Sequence, residues 1–216
     1  MPHLSDVPGS EPIIDRASLI PALFTEVDEH WTNRADEATR EDALALSVLA
    51  HVSSTIDGHL LVVGAGDGQS ALALGAAARA TGRGRVFAID VYPDRDDVPD
   101  AAGWSLDCLL KRASDARLGA WVLPHYGTAA TFAQLMPADF KCRLIHLEAA
   151  HACTSVATDV FLLERLLVPG GWLTVGGGFS GFPGARDALE VFARQRPGVS
   201  GWRAISPGLL IAQKCA

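Results

Sequence analysis

Three glycines at alternate positions, Gly64, Gly66 and Gly68, separate the apolar run Leu60-Leu61-Val62-Val63 from the small-residue stretch that opens at Gln69-Ser70-Ala71. A short apolar run, a glycine turn and a helix-length segment read in that order as strand, tight turn and helix. Without Cβ atoms the chain can turn sharply and bring its backbone against a ligand. The free N–H groups of the following helix start then favour an anionic or polar group. Asp90 closes the next apolar strand, 22 residues beyond Gly68. A carboxylate there can accept hydrogen bonds from both hydroxyls of a ribose, its task in nucleoside-binding doubly wound folds. The glycines alone are a weak signal. Joined to an acid at the end of the next strand, they mark a nucleoside site built from Gly64, Ala65, Gly66, Gly68, Ser70, Asp90 and Val91.

Around this turn the chain organises simply. Residues 1–12, with Pro2, Pro8, Gly9 and Pro12, read as a loose arm. Residues 13–57 read as helical: Leu44, Val48 and Val52 recur at four-residue steps, with Leu49 on the same face. Preceding the first strand, this segment is expected to be a helical cap, or an arm through which two copies pair as a homodimer. From residue 58 to 216 strand and helix signals alternate. Strands are expected over 60–63, 85–90, 120–123, 143–148, 172–175, 202–205 and 209–212. Helices are expected over 71–80, 104–118, 129–136 and 185–194, and along the stripe Val156, Val160, Leu163, Leu167, which Pro169-Gly170-Gly171 stops. Such alternation implies a doubly wound α/β domain: a mostly parallel seven-stranded sheet, helices on both faces and an antiparallel edge at the Ser206-Pro207-Gly208 turn.

Composition removes several function classes. Net charge is −7, and Arg79, Arg83 and Arg85 are the densest basic group, a solvated helix end. Nucleic-acid binding, which needs clustered Lys and Arg, is not expected. The N-terminus lacks a basic start and an apolar run, and no window approaches the roughly 18 apolar residues of a membrane helix, so no membrane partner is expected and the cytoplasm is the simplest compartment. Cys108, Cys142, Cys153 and Cys215 are scattered, which indicates neither a disulfide framework nor a thiolate zinc site.

The dinucleotide spacing G-x-G-x-x-G/A can be forced onto Gly66-Asp67-Gly68-Gln69-Ser70-Ala71, but G-x-G-x-G fits Gly64, Gly66 and Gly68 more naturally. With this motif and the element order over residues 40–215, the chain resembles class I S-adenosylmethionine-dependent methyltransferases. A second stretch, Arg143-Leu144-Ile145-His146-Leu147-Glu148-Ala149-Ala150-His151, followed by Val168-Pro169-Gly170-Gly171-Trp172, is similar to macrocin-type sugar O-methyltransferases and cephalosporin hydroxylase-like proteins. There the fourth strand commonly reads Ile-His-Ile-Asp-Gly-Asp-His. The resemblance implies S-adenosylmethionine as cofactor, a small-molecule acceptor methylated on a hydroxyl, and an adenine contact at Gly127-Thr128. The rival readings are a methyltransferase-fold protein that binds without methylating, and an NAD-dependent oxidoreductase, which the glycine spacing disfavours.

Three departures from that family pattern matter. Val62 stands where the family often carries an acid that contacts the cofactor's amino group. Glu148-Ala149-Ala150 replace Asp-Gly-Asp, and Gly176-Gly177-Gly178 fall where metal-dependent relatives carry two acids. A hard divalent cation needs several oxygen ligands, so no catalytic metal is expected. His146 and Glu148 share one strand face, and His146 reads as a core histidine hydrogen-bonded beneath the cofactor. His151, just past the strand, is the candidate general base, oriented by Glu148. Trp31, Trp104 and Trp121 line a pocket or fill the core. His125 and Tyr126 end the third strand near the adenine or the acceptor. Residues 176–184 form a lid or a plain loop.

Overall fold

A computed structural model describes residues 40–92, 105–148, 153–176, 189–192, 194–196, 198–206 and 208–215. The expected arm over 1–12, the first part of the helical segment (13–39), Trp31, Trp104, His151 and residues 177–188 lie outside the described residues.

Seven strands, β1 (His59–Val63), β2 (Val86–Asp90), β3 (Val122–Tyr126), β4 (Cys142–Glu148), β5 (Leu167–Gly176), β6 (Arg203–Ser206) and β7 (Leu209–Gln213), form one sheet in the order β3-β2-β1-β4-β5-β7-β6. The first five are parallel; β7 runs antiparallel to β5 and to β6. Helix α1 (Arg40–Val52) precedes β1, and α2 (Gln69–Thr81), α3 (Leu106–Asp115), α4 (Ala129–Leu135) and α5 (Cys153–Leu163) follow β1, β2, β3 and β4 in turn. Sheet order therefore reverses between β1 and β4, and the crevice beyond their carboxyl ends is where open α/β sheets take ligands.

Both faces of the central strands are covered, which is why they read as continuous apolar runs rather than alternating ones. Leu60 and Val62 turn into one apolar layer with Leu46 of α1, Leu74 of α2 and Leu109 of α3. Leu61 turns into the opposite layer with Phe132 of α4, Val160 of α5 and Leu173 of β5. Helix α2 is built of small residues because it lies between α1 and the sheet: a Cβ on its Gly75 would stand 2.7 Å from Val122 Cγ2. It ends on Gly82, whose φ of 65° only glycine adopts freely. Residues 189–192 and 194–195 are helical, within the span expected for the last helix.

Three expectations change. The buried face of α1 keeps Leu44 and Leu49 of the expected stripe but not its end: Val48 is half-buried and Val52 is 53% exposed, and the face is completed by Ala43, Leu46 and Ala50, each at most 1% exposed. Small side chains at 43 and 50 let α1 sit close on α2, and Ser47 within that face donates its hydroxyl to Ala73 O at 2.9 Å. Strand β3 begins at Val122 and runs to Tyr126, because Pro124 still fits beside Ala88 in a parallel register. Strand β5 begins at Leu167, before the Pro169-Gly170-Gly171 stop. Leu167 pairs with Cys142, and after an irregularity Trp172 pairs with Leu144.

The carboxyl edge of the sheet also anchors the first helix. Asp42, 2% exposed, accepts a hydrogen bond from the Ser206 hydroxyl, and a Cβ on Gly208 would overlap its carboxylate. Among the described residues no helix is long and apolar enough to cross a membrane.

Candidate functional site

The three turn glycines all have positive φ (78°, 53° and 91°), and each meets a different surrounding. A Cβ on Gly64 would press on Glu148 at 3.3 Å, and one on Gly68 would overlap Leu109 of α3. Over Gly66 the nearest heavy atom would be 3.9 Å away. The turn is thus packed at both shoulders and open at its centre. Backbone bonds fix its path: Gly64 and Ala65 N–H both donate to Ile89 O (2.9 and 3.1 Å), and Gly68 N–H donates to Ala65 O at 2.7 Å.

Asp67 turns away from that opening. It accepts from Gln69 N–H at 3.2 Å and from the Arg112 guanidinium of α3, which also donates to the Asp67 carbonyl at 3.0 Å. Only half of this pair is legible in the sequence. Its local half, an acid two residues before a helix start, is a visible signal; its partner, 45 residues on, is not.

Asp90 joins the turn to the end of β2. Its Oδ2 accepts the Gly66 N–H at 2.7 Å, and its Oδ1 accepts Val91 N–H at 2.7 Å and Tyr92 N–H at 3.3 Å. A carboxylate has about four acceptor positions, so capacity remains for a further hydroxyl. Tyr92, at a φ of 38°, is buried and donates its hydroxyl to Ala88 O at 2.8 Å, which pins this strand end. Burial, with the Asp90 charge beside it, pushes the Tyr92 phenol well above its ordinary value. On the other side Asp90 registers with Tyr126, and Gly127 N–H donates to Asp90 O at 2.9 Å. Gly127, at a φ of 147°, hands the chain to Thr128, whose hydroxyl caps α4 by accepting from Thr131 N–H at 3.2 Å. Val91 and Tyr126 leave apolar surface exposed at this edge.

Glu148, the last residue of β4, reaches across from the other side of the switch point. Its Oε1 accepts the Ser70 hydroxyl and faces His146 Nε2 at 2.9 Å. His146 is wholly buried, as a core histidine should be, and its Nδ1 lies 2.8 Å from the Thr174 hydroxyl of β5. An ionised Glu148 can only accept, which assigns a proton to Nε2. Burial alone would push the Glu148 carboxyl up. The His146 imidazole and the hydrogen bonds from His146 and Ser70 outweigh it and hold the group below the usual carboxylate range.

The turn, Ser70, Asp90, Val91, Gly127, Thr128 and Glu148 thus line the carboxyl ends of four adjacent strands. Trp121 does not join them; it precedes β3, at the opposite edge, and packs on the core. His125 packs edge to face on Phe132, ring centroids 5.1 Å apart. Val62 is sealed in the apolar layer, so no acid lies beneath the turn from β1. Among the described residues no three His, Cys, Asp or Glu side chains converge. Gly176 has a physical reason to lack a side chain: a Cβ there would lie 2.8 Å from His146 Cε1 and 3.2 Å from Glu148 Oε2.

The sequence from 61 to 176, more than half of the chain, matches the model of a family described as a methyltransferase domain. No curated protein matches the chain. Among solved structures it is similar to the O-methyltransferase NovP (11% identity, TM-score 0.70, covering 94% of this chain and 100% of that one). It is similar too to the O-methyltransferase TomG from Streptomyces achromogenes, involved in tomaymycin synthesis and solved in complex with SAM (15% identity, TM-score 0.64, 97% and 93% covered). A methyltransferase from Geobacter sulfurreducens shares the fold as well (16% identity, TM-score 0.58, 97% and 91% covered). At such identities the structural likeness speaks for the fold, and the sequence match speaks for the family. The chain belongs to the methyltransferase-domain family and has the fold of class I S-adenosylmethionine-dependent methyltransferases.

Proposed function

We propose that the chain is an S-adenosylmethionine-dependent methyltransferase that methylates a hydroxyl of a small-molecule acceptor without a divalent metal. The observation that carries this reading is the glycine turn, open over Gly66 and bonded through its backbone to Asp90 beside a sheet switch point. When bound, the cofactor supplies an electrophilic methyl group on a sulfonium. Gly64, Ala65, Gly66 and Gly68 let the backbone approach it closely, and the first turn of α2 offers N–H groups to its carboxylate. The remaining capacity of Asp90 suits a ribose hydroxyl, while Val91, Gly127 and Thr128 flank the base. With Val62 in place of an acid, Glu148 of β4 brings a second carboxylate, beside Asp90, to the turn, and it receives the cofactor's ammonium.

An acceptor hydroxyl must lose a proton, and His151 is assigned as the general base. The protein otherwise contributes alignment of the reacting atoms. The acidic net charge favours a small acceptor over nucleic acid. NovP and TomG, O-methyltransferases of the same fold, support transfer to oxygen.

Calorimetric titration with S-adenosylmethionine, S-adenosylhomocysteine and NAD tests the assignment. The first two should bind and NAD should not. Binding of NAD alone would turn the reading to an oxidoreductase, and cofactor binding without transfer to any hydroxyl acceptor would turn it to a non-methylating role. Metal independence rests on the donor set: among the described residues no three His, Cys, Asp or Glu side chains group around Glu148, and Gly176 lies against it. Turnover should survive EDTA; loss that magnesium restores would overturn that part.

A further inference from the structure

His146 lies beneath the site, with no exposed surface, yet it spends both ring nitrogens on polar partners. Burying an imidazole costs free energy unless its hydrogen bonds are made, so an apolar residue would serve the core better if packing were the whole task. The partners form a chain: the Thr174 hydroxyl, 3.3 Å from Ile145 O, then His146 Nδ1, His146 Nε2, Glu148 Oε1 and the Ser70 hydroxyl at the start of α2. Every described contact on the Glu148 carboxylate falls on Oε1. Gly176 leaves the space beside Oε2 and the imidazole edge clear of a side chain. Two bonds on Oε1 hold the carboxylate against the turn, and among the described residues Oε2 carries none.

We propose that His146, braced by Thr174, is a positioning residue that fixes Glu148 across the glycine turn, so that Oε2 meets the ammonium of an amino-acid-bearing nucleoside. The inference rests on the cofactor reading above and deepens it: it assigns recognition of the amino-acid end to a three-residue chain spanning β4 and β5. Gly176 belongs to the same device, because a methyl group there would press on both His146 and Glu148.

The test compares two ligands by calorimetry: S-adenosylhomocysteine, which carries the amino-acid end, and 5′-methylthioadenosine, which lacks it. In His146→Phe the first should bind about ten- to a hundredfold more weakly, the scale of a lost charge-assisted contact, and the second within about twofold of the parent. His146→Gln, whose amide can donate in place of Nε2, should recover most of the loss. In a Glu148→Gln background, His146→Phe should cost nothing further. Equal weakening of both ligands, a loss that adds to that of Glu148→Gln, or no recovery in His146→Gln would reduce His146 to a strand-packing role and overturn the proposal. A parent that binds neither ligand overturns the cofactor reading, and this inference with it.

Discussion

Asp90 accepts three backbone N–H groups, so besides its proposed ribose contact the residue is a splice between the glycine turn and β2. Removing it strands those donors and, on the proposed reading, removes a ribose contact. Asp90→Ala should therefore weaken S-adenosylhomocysteine by about 1.5–3 kcal/mol and lower the melting temperature at the same time. An affinity loss with unchanged melting would show that the splice contributes nothing. His151→Ala should behave differently, lowering turnover about 10²–10⁴-fold with cofactor affinity nearly intact; a variant that loses cofactor binding instead marks His151 as structural. At this scale the sequence was informative where chemistry is local. Gly64, Gly66, Gly68 and Asp90 were legible because backbone conformation and a strand-ending acid leave a pattern. Asp67, in the midst of the same motif, was not, because its role depends on Arg112 of α3.

Between elements, the turn is a joint whose two sides pack differently. Gly68 abuts Leu109 of α3, while Gly66 faces open space. Alanine at either position strains a left-handed backbone by about 1–2 kcal/mol, but only at 68 does the new methyl strike the core. Gly68→Ala should lose more stability than Gly66→Ala and regain part of it in combination with Leu109→Ala. Gly66→Ala should instead lose mainly cofactor affinity. Thermal unfolding and calorimetry on the same variants separate the two, and equal behaviour would contradict the packing described. Element order was readable from alternating apolar runs and breakers, but the buried face of α1 was not. Leu44 is buried with Ala43 against Ala73 of α2, but Val48 and Val52, which continue its stripe, give way to Leu46 and Ala50 where α1 approaches α2 closely. Strand β5 was likewise shortened in the reading, because a Pro-Gly-Gly stop ordinarily ends pairing, whereas here Gly170 N–H donates to Lys214 O at 2.8 Å within it.

At the scale of the whole molecule, Asp42 and Ser206, 164 residues apart, are joined by a side-chain hydrogen bond. It ties the first turn of α1 to the β6–β7 edge, at the same end of the sheet as the site. A lost bond to a buried carboxylate is worth about 1.5–3 kcal/mol, so Ser206→Ala should lower the melting temperature by several degrees; an unchanged melting curve would show that the tie carries no stability. The tie also sets an order of events. Ribosomes add about 5–20 residues per second, so Asp42 is added roughly 10–30 s before Ser206. For most of that interval α1 can lie on α2 while the bond from Ser206 is still missing. The nascent chain therefore closes the β6–β7 edge of the sheet only after the glycine turn, Asp90 and Glu148 have all left the tunnel.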